Sequence, residues 1–506
     1  MLAASLARPS HPDQLYIGGH WITPSGGERL TPVNPATEEP LITVAAAGAA
    51  EVELAVAAAR KAFDEGPWPC MSPHERAAAM RRLSAALAKR GDALDSCWLS
   101  QVGVPAWMAQ GSSAATAGLL DYYAAMAETY PFEDLRPANG LACRYAVVVR
   151  EAAGVVAAIA PWNGPLGSLL VKLAPALAAG CTVILKPSPE TPLEAFLLAE
   201  AAEEAGLPPG VVNLLPADRA ASDLLVRHPG VDKVAFTGSS VVGLHIAQIC
   251  ASRMARYTME LGGKSAAIVL DDYDPANLGP ALAPLITLLC GQVCINYSRI
   301  LVPRARHDSY VESLAAAMAA TVVGDPLGAA TQMGPLAIRR HHAKVMGYVE
   351  QGKAEGARVV TGGGRPQGLD RGFYIQPTVF DRATNGMIIA QEEIFGPITT
   401  VIPYDSEDEA VAIANASEFG LSGAVYTQDT DRAYAMARRI RTGTFTQNGR
   451  EYDLTVPFGG FKKSGIGREG AREGLDAFTE IKTVFLPSPP AGMKPELTRF
   501  GRRVAV

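Results

Sequence analysis

The chain has 506 residues, of which 48% are hydrophobic and 19% charged, with a net charge of -6. That length suggests about three domains, each able to bury a full core. The balance excludes a disordered chain, which would lack apolar residues, and a polyanion-binding protein, which would carry excess positive charge. A folded, enzyme-sized protein that does not bind nucleic acid is expected.

Seven cysteines (Cys70, Cys97, Cys143, Cys181, Cys250, Cys290 and Cys294) are odd in number, scattered and never paired as CxxC, which suits reduced thiols in a cytoplasm. No histidine or second cysteine pair accompanies Cys290 and Cys294, so no metal site is predicted. Met1 to His11 lacks a basic n-region, and a secretory leader is not expected there. Two uncharged runs, Ala152 to Val171 and Pro275 to Ser298, reach the ~18 residues of a membrane span. Pro161, Asn163 and Pro165 interrupt the first, and Pro280, Pro284 and Gln292 the second. The expectation is therefore a cytoplasmic protein without a membrane partner.

Leu15 to Ile22 alternates loosely around Gly18-Gly19 and reads as a surface β-hairpin. Glu51 to Phe63 has an Ala/Val stripe at helical spacing. Ser72-Pro73-His74-Glu75 opens the next helix with serine at the N-cap, proline at N1 and glutamate at N3, and Gly91 is predicted to end it. Tyr145 to Arg150 is a short β-rich run, read as a hairpin outside the main sheet. From Gly154 the pattern becomes regular: apolar Val155 to Ile159, a helix through Leu177, Thr182 to Leu185, a helix from Pro192, then Val211 to Leu215 and Val234 to Phe236. Thr191-Pro192-Leu193-Glu194 repeats the capping signature, and Gly206-Leu207-Pro208 supplies the stop. After Glu260 a second series follows, with strands expected at Ala266 to Leu270, Ile300 to Val302, Thr399 to Ile402, Ala424 to Thr427 and Thr444 to Thr446. Short continuous apolar strands alternating with amphipathic helices indicate parallel sheets covered on both faces. Gly362 to Arg371 reads as a surface loop, and the tail after Pro487 as an extended arm.

Candidate chemistry gathers in a few stretches. Gly465-Ile466-Gly467-Arg468-Glu469-Gly470 matches GxGxxG but follows no buried strand, so it reads as a turn. Phe236-Thr237-Gly238-Ser239 ends a strand and opens a helix, whose free N–H groups suit a phosphate or need only a structural cap. Leu289-Cys290-Gly291-Gln292-Val293-Cys294-Ile295-Asn296 places a cysteine after a helix-breaking glycine, either a reactive thiol or a small buried hydrophobe. Pro161-Trp162-Asn163-Gly164-Pro165, Met259-Glu260-Leu261-Gly262-Gly263-Lys264 and Gln391-Glu392-Glu393-Ile394-Phe395-Gly396-Pro397 put polar groups near strand ends. Each also has a bland reading: Asn163 as a helix cap, Glu260 paired with Lys264, and Glu392 and Glu393 on a solvated helix end.

Taken in this order, with Lys186-Pro187-Ser188 and Pro457-Phe458-Gly459-Gly460-Phe461-Lys462 added, these motifs resemble the NAD(P)-dependent aldehyde dehydrogenase superfamily from about Leu15 to Leu486. The resemblance implies two Rossmann-like, doubly wound α/β domains plus a small β oligomerisation element. Residues 1–135 and 154–258 would form the cofactor-binding domain, 259–477 the catalytic domain, and 136–153 with 478–506 the oligomerisation element and C-terminal tail. A homodimer or homotetramer follows, with the edges of Arg136 to Ala153 and Lys482 to Leu486 paired.

By the same resemblance Cys294 is the nucleophile, Asn163 the oxyanion donor with the Cys294 backbone N–H, Glu260 the base for water, and Lys172 and Glu469 a proton relay. Surface salt bridges are the bland alternative for that last pair. The implied cofactor residues are Ala160, Pro161, Trp162, Lys186, Ser188, Phe236, Gly238, Ser239, Leu261, Gly262, Glu393 and Phe395. The chain departs from the family where many NAD-preferring members have glutamate three residues after the lysine. Here Pro189 stands there, with Glu190 next, so NAD is expected while NADP stays open. A wide channel is implied by Gly164, Gly167, Ser168 and Val171, walled by Leu288, Val293, Ile295, Tyr452 and Phe458. That suits a bulky aldehyde, aromatic, terpenoid or medium-chain. Arg450 either meets a substrate carboxylate or pairs with Glu451 at the surface, the second being preferred. The competing readings are an NADP-dependent semialdehyde dehydrogenase, a CoA-acylating relative, which tends to lack the glutamate found here as Glu260, and a non-catalytic protein on the same fold.

Overall fold

The computed structural model describes residues 6–493. The alternation that begins at Gly154 builds a parallel sheet ordered Val212–Leu214, Thr182–Lys186, Val155–Ile159, Lys233–Thr237, Arg256–Glu260. Gly465–Ile466 joins it antiparallel at the Arg256–Glu260 edge. Its two earliest strands in chain order, Val155–Ile159 and Thr182–Lys186, are buried at every position, because helices such as Ala49–Asp64 and Pro165–Ala179 pack against the sheet. Strand order reverses between Val155–Ile159 and Lys233–Thr237. In open α/β sheets the crevice beyond the carboxyl ends at such a reversal is where ligands bind.

The chain steps directly from Glu260 to Ser265–Val269, a strand of the second sheet. That sheet runs Arg358–Thr361, Thr378–Asp381, Ile398–Tyr404, Tyr297–Pro303, Ser265–Val269, Gly423–Tyr426, Thr446–Gln447, parallel except for its first pair. One apolar core surrounds the first sheet, and two lie on the second. Separately, Tyr145–Ala152 pairs antiparallel with Glu133–Pro137 and Thr479–Leu486, so the run predicted outside the main sheet becomes the middle strand of three. The α/β class expected from the sequence stands, as two sheets of mainly parallel strands.

Local signals fared unequally. The Leu15–Ile17 and His20–Ile22 hairpin forms, turning through Gly18 and Gly19 at positive φ, but its first strand is buried and belongs to the core instead of the surface. The Ser72 capping box also forms, with Ser72 N–H donating to Glu75 Oε2 at 2.7 Å and Glu75 N–H to Ser72 Oγ at 3.3 Å. Gly91, however, opens the helix Gly91–Val102 instead of ending its predecessor, which stops at Ala88. A glycine stop needs the left-handed conformation, which Gly91 does not adopt. The second capping box fails too. Thr191 Oγ1 is buried without a partner, Leu193 N–H donates to Gln101 Oε1 at 3.0 Å, and Glu194 accepts from Gln101 Nε2 at 3.2 Å. A glutamine from another helix has taken over the cap. The GxGxxG stretch, expected to be a turn, instead begins as the edge strand Gly465–Ile466 paired with Arg256–Glu260 and bends only after it. Pro487 to Met493 carries no helix or strand, and Arg499, Arg502 and Arg503 lie outside the described residues.

Candidate active site

The loop between the helix Pro275–Thr287 and the strand Tyr297–Pro303 carries two cysteines with opposite fates. Leu289, Cys290 and Gly291 have φ of 51°, 54° and 70°, a left-handed run that costs roughly 1–3 kcal/mol at each non-glycine residue. A Cβ on Gly291 would lie 2.2 Å from the Gly396 backbone, so close approach and conformation both demand glycine. Buried Gln292 pins the turn, donating from Nε2 to Leu289 O at 2.8 Å and accepting from Ala337 N–H at 2.9 Å. Cys290 is thereby buried, and burial pushes its thiol far up. Cys294 is half-buried and lines a cleft. Burial, then the carboxylates of Glu393 and Glu260, push its thiol up to about 12, while the backbone N–H groups of Ile295 and Cys294 itself favour the thiolate.

Asn163 does not cap the following helix. Its Nδ2 donates to Gln292 O at 2.8 Å, and Trp98 Nε1 donates to Asn163 O at 3.0 Å. The amide therefore lies against the Cys294 loop with one N–H left to give. Glu260 ends the strand Arg256–Glu260, buried, with both carboxylate oxygens unpartnered. Burial, then Glu469, hold its carboxyl well above the usual carboxylate range against the pull of Lys172 and Arg468. It forms no pair with Lys264, whose buried Nζ is also unpartnered and is pushed down to about 7 by burial, then by Arg299. Lys172 Nζ meets Glu469 Oε1 at 2.8 Å and Thr237 Oγ1 at 2.5 Å. That pair is buried beside Glu260 and is no surface salt bridge.

The cleft, about 180 Å³, runs from Cys294 past Pro161, Trp162 and Asn163 to Gly238 and Ser239. Ala160 ties the two strand ends together, its N–H donating to Lys186 O at 3.1 Å. Gly238 lies over the Phe236 ring, where a Cβ would come within 2.4 Å, and Ser239 caps the helix Ser240–Ser252 through Val242 N–H at 3.4 Å. Across the cleft, Glu393 Oε1 accepts from Gly263 N–H at 3.0 Å while burial pushes its carboxyl up to about 7. Glu392 instead accepts from Tyr348 Oη at 2.6 Å. Leu261 and Gly262 form the floor between them. Phe395 is left-handed, with φ of 60°, and its ring meets Trp162 edge-on at 5.3 Å. Lys186 and Ser188 lie apart from this cavity: Lys186 is buried, with burial pushing its amine down to about 8 against Glu190 and Asp218, and Ser188 Oγ donates to Glu190.

Two residues of the cleft lie outside every sequence motif. His341 and Lys344 project from the helix Arg339–Ala354, and the His341 Nε2 donates to Phe395 O at 2.7 Å with its ring 5.4 Å from Trp162. Burial pushes this imidazole down to about 4, so it stays neutral. Thr237, inside the Phe236-Thr237-Gly238-Ser239 motif, is a third cleft residue, and its hydroxyl accepts from Lys172.

On the other side of Cys294, Val293 and Leu454 pack with Ile295, Leu421 and Phe458 in one apolar cluster. Tyr452 meets Phe458 edge-on at 5.1 Å and stays 57% exposed, yet desolvation raises its phenol. Gly164, Gly167, Ser168 and Leu288 are half-buried, whereas Val171 is buried. Beyond the backbone of its own helix, the nearest atom to a Cβ on Gly167 would be Thr116 Cγ2 at 3.8 Å. Arg450 does not pair with Glu451. It is half-buried, donates to Leu285 O at 2.9 Å, and is lowered by burial against the pull of Tyr297 and Cys294. The helix Pro275–Thr287 lies close enough to take the guanidinium inward.

A thiol facing a switch-point crevice, with a free carboxylate beside it, is the equipment of an oxidoreductase that works through a covalent thioester. Residues 21–484 match the sequence model of the aldehyde dehydrogenase family. Geranial dehydrogenase of Castellaniella defragrans is 46% identical over 473 residues, covering 93% of this chain and 98% of that one. A 3-succinoylsemialdehyde-pyridine dehydrogenase of a Pseudomonas species is 41% identical, covering 93% and 98%. The crystal structure of a Mycobacterium tuberculosis aldehyde dehydrogenase complexed with NAD+ shares 44% identity at a TM-score of 0.91, covering 95% of this chain and 99% of that one. The chain belongs to the aldehyde dehydrogenase family and is an aldehyde dehydrogenase.

Proposed function

We propose that this enzyme oxidises a bulky hydrophobic aldehyde, terpenoid before aromatic or medium-chain, to its carboxylic acid, with NAD as hydride acceptor. The convergence of Cys294, Asn163 and Glu260 on one loop carries the chemistry, and the likeness to geranial dehydrogenase supports the substrate class. The dinucleotide fits the residues present: the Gly238 turn leaves no room for a side chain, the Ser240–Ser252 helix offers free N–H groups, and Glu393 stands opposite. Lys186 with Ser188 would hold its adenosine ribose, and Glu393 with Phe395 its nicotinamide ribose. When bound, the cofactor accepts the hydride released from the substrate carbon.

Cys294 Sγ attacks the aldehyde carbon as its proton passes to a carboxylate, Glu260 being the unpartnered acceptor nearby. The new oxyanion of the thiohemiacetal receives hydrogen bonds from the Asn163 amide and the Cys294 N–H, a donor of this kind being worth about 3 kcal/mol. Loss of hydride leaves a thioester. Once the thiol's proton has left Glu260, the carboxylate takes a proton from water and the hydroxyl adds to the thioester carbon; the C–S bond then breaks, the acid leaves, and the departing thiolate recovers its proton from Glu260. The buried Lys172–Glu469 pair carries the proton onward. Residues 1–135 and 154–258 serve as the cofactor-binding domain and 259–477 as the catalytic domain. Among the described residues no helix is long and apolar enough to cross a membrane, and a cytoplasmic homodimer or homotetramer is the assembly we infer. The three-stranded sheet, with Ile481 and Phe485 exposed on Thr479–Leu486, supplies its contact.

A second reading is a semialdehyde dehydrogenase, favoured by the desolvated Arg450. A panel of geranial, octanal, acetaldehyde and succinic semialdehyde, each with NAD and NADP, decides between them by kcat/KM. Geranial with NAD is expected to lead; acetaldehyde or succinic semialdehyde in first place, or a higher constant with NADP, overturns the reading.

A further inference from the structure

Pro189 removes a carboxylate from the position three residues beyond Lys186, yet the structure returns one to the same strand end. Thr191 N–H donates to Ser188 O at 3.1 Å, closing a turn with Pro189 second, where its ring presets φ, and Glu190 third. The turn folds Glu190 back, so that one carboxylate oxygen accepts from Ser188 Oγ and the other from the Arg340 guanidinium. Lys186 lies close enough for Glu190 to bear on its amine. Arg340 comes from across the cleft, on the first turn of the helix Arg339–Ala354, whose next residue, His341, lines the cavity.

We propose that Glu190 and Arg340 form a paired selector for the adenosine ribose, in which Glu190 accepts the ribose hydroxyls of NAD and Arg340 is a masked receptor for the 2′-phosphate of NADP. This rests on the dinucleotide reading of the cleft. The two members are held unequally: the Glu190 side chain is 20% exposed and that of Arg340 74%. The carboxylate is thus fixed while the guanidinium is free to leave, since an exposed ion pair contributes little. Ribose hydroxyls can replace Arg340 as donors to Glu190 at small cost. A 2′-phosphate brings a charge near -2 against the same carboxylate, and the one arginine at hand is neutralised by it. Without the Glu190 charge, Arg340 could meet that phosphate with two parallel N–H donors, beside Lys186.

Trp162 fluorescence or calorimetry can follow binding of ADP-ribose and 2′-phospho-ADP-ribose to the wild type, Glu190→Gln, Arg340→Ala and the double variant. Glu190→Gln is expected to tighten the phosphorylated ligand at least about tenfold and to weaken ADP-ribose several-fold. Arg340→Ala alone should leave ADP-ribose within about threefold. The double variant should lose the gain, because the receptor has gone. Thermal melts without ligand report that each variant is folded. Unchanged preference in Glu190→Gln, or a gain that survives in the double variant, overturns the selector. If the wild type binds neither ADP-ribose nor NAD, the dinucleotide reading fails first and takes the selector with it.

Discussion

The Cys294 end of the cleft and the proposed aldehyde channel beside it differ in how their side chains are held. At the first, Asn163 is bonded to the Gln292 carbonyl, Glu393 to the Gly263 N–H, and Lys172 to both Glu469 and Thr237. Each bond joins distant parts of the chain, so displacing one group moves several. The channel is assembled more loosely: Gly164 and Gly167 offer space, Tyr452 is held by one ring contact, and Arg450 by one carbonyl. Bond-making needs placement to a fraction of an ångström, while admission of an aldehyde needs volume, and a single side chain can change volume.

The comparison breaks most sharply at the thiol. Cys294→Ser is expected to lower kcat/KM at least about 10⁴-fold with cofactor binding retained, since removing a nucleophile leaves only residual catalysis from binding and the oxyanion donors. Cys290→Ala, four residues away, should keep kcat within about threefold and lose roughly 1 kcal/mol of stability, because it merely leaves a small void. Steady-state rates with denaturant melts measure both; similar losses of activity in the two variants would end the distinction between them. Next in size, Glu260→Gln should slow thioester hydrolysis about 10²–10⁴-fold while a first-turnover burst of reduced cofactor persists. The sign with pH follows from burial. A carboxyl held above its ordinary range is protonated, and useless as a base, until pH rises through that raised value, so wild-type kcat should climb along a limb that the glutamine variant lacks. A glutamine variant without a burst, or with the limb intact, would move the base elsewhere.

How far this contrast was legible beforehand depends on what held each residue. Continuous apolar runs such as Val155–Ile159 announced buried strands because burial on both faces leaves no polar position. Ser72 and Glu75 cap each other, and their spacing sufficed. Thr191 misled because its helix is capped by Gln101, ninety residues earlier in the chain, and local spacing carries no trace of such a partner. Asn163, Glu260 and Cys294 stand out through resemblance, but that Asn163 reaches Gln292 is a property of the fold. His341 and Lys344 were invisible, since one turn of an exposed-looking helix acquires its role only when the helix lies across a cleft. The left-handed Leu289 and Cys290 were equally hidden, being residues that seldom adopt positive φ.

In the channel the expected effects are smaller and depend on the substrate. Gly167→Phe adds a ring where a Cβ already has Thr116 Cγ2 as a neighbour at 3.8 Å. It should cost geranial roughly 10–100-fold in kcat/KM and leave acetaldehyde nearly unchanged. Equal losses for both aldehydes would mean that Gly167 supports the fold and not the channel.

Arg450 gives the smallest expected effect and the finest discrimination. Its guanidinium is partly withdrawn from water with Leu285 O as its hydrogen-bond partner, a costly state unless something else compensates. If the compensation is structural, bracing the Gly449–Arg450 turn against the helix Pro275–Thr287, then Arg450→Ala alters kcat and KM alike for every aldehyde, by no more than a few-fold. If the substrate compensates, the same change raises KM only for aldehydes bearing a distant carboxylate and leaves geranial untouched. The hydrophobic reading of the channel predicts the first pattern. A selective rise in KM for succinic semialdehyde of about tenfold or more would show that this loosely held end of the site recognises charge after all, and would exchange the terpenoid for a semialdehyde without disturbing any step at Cys294.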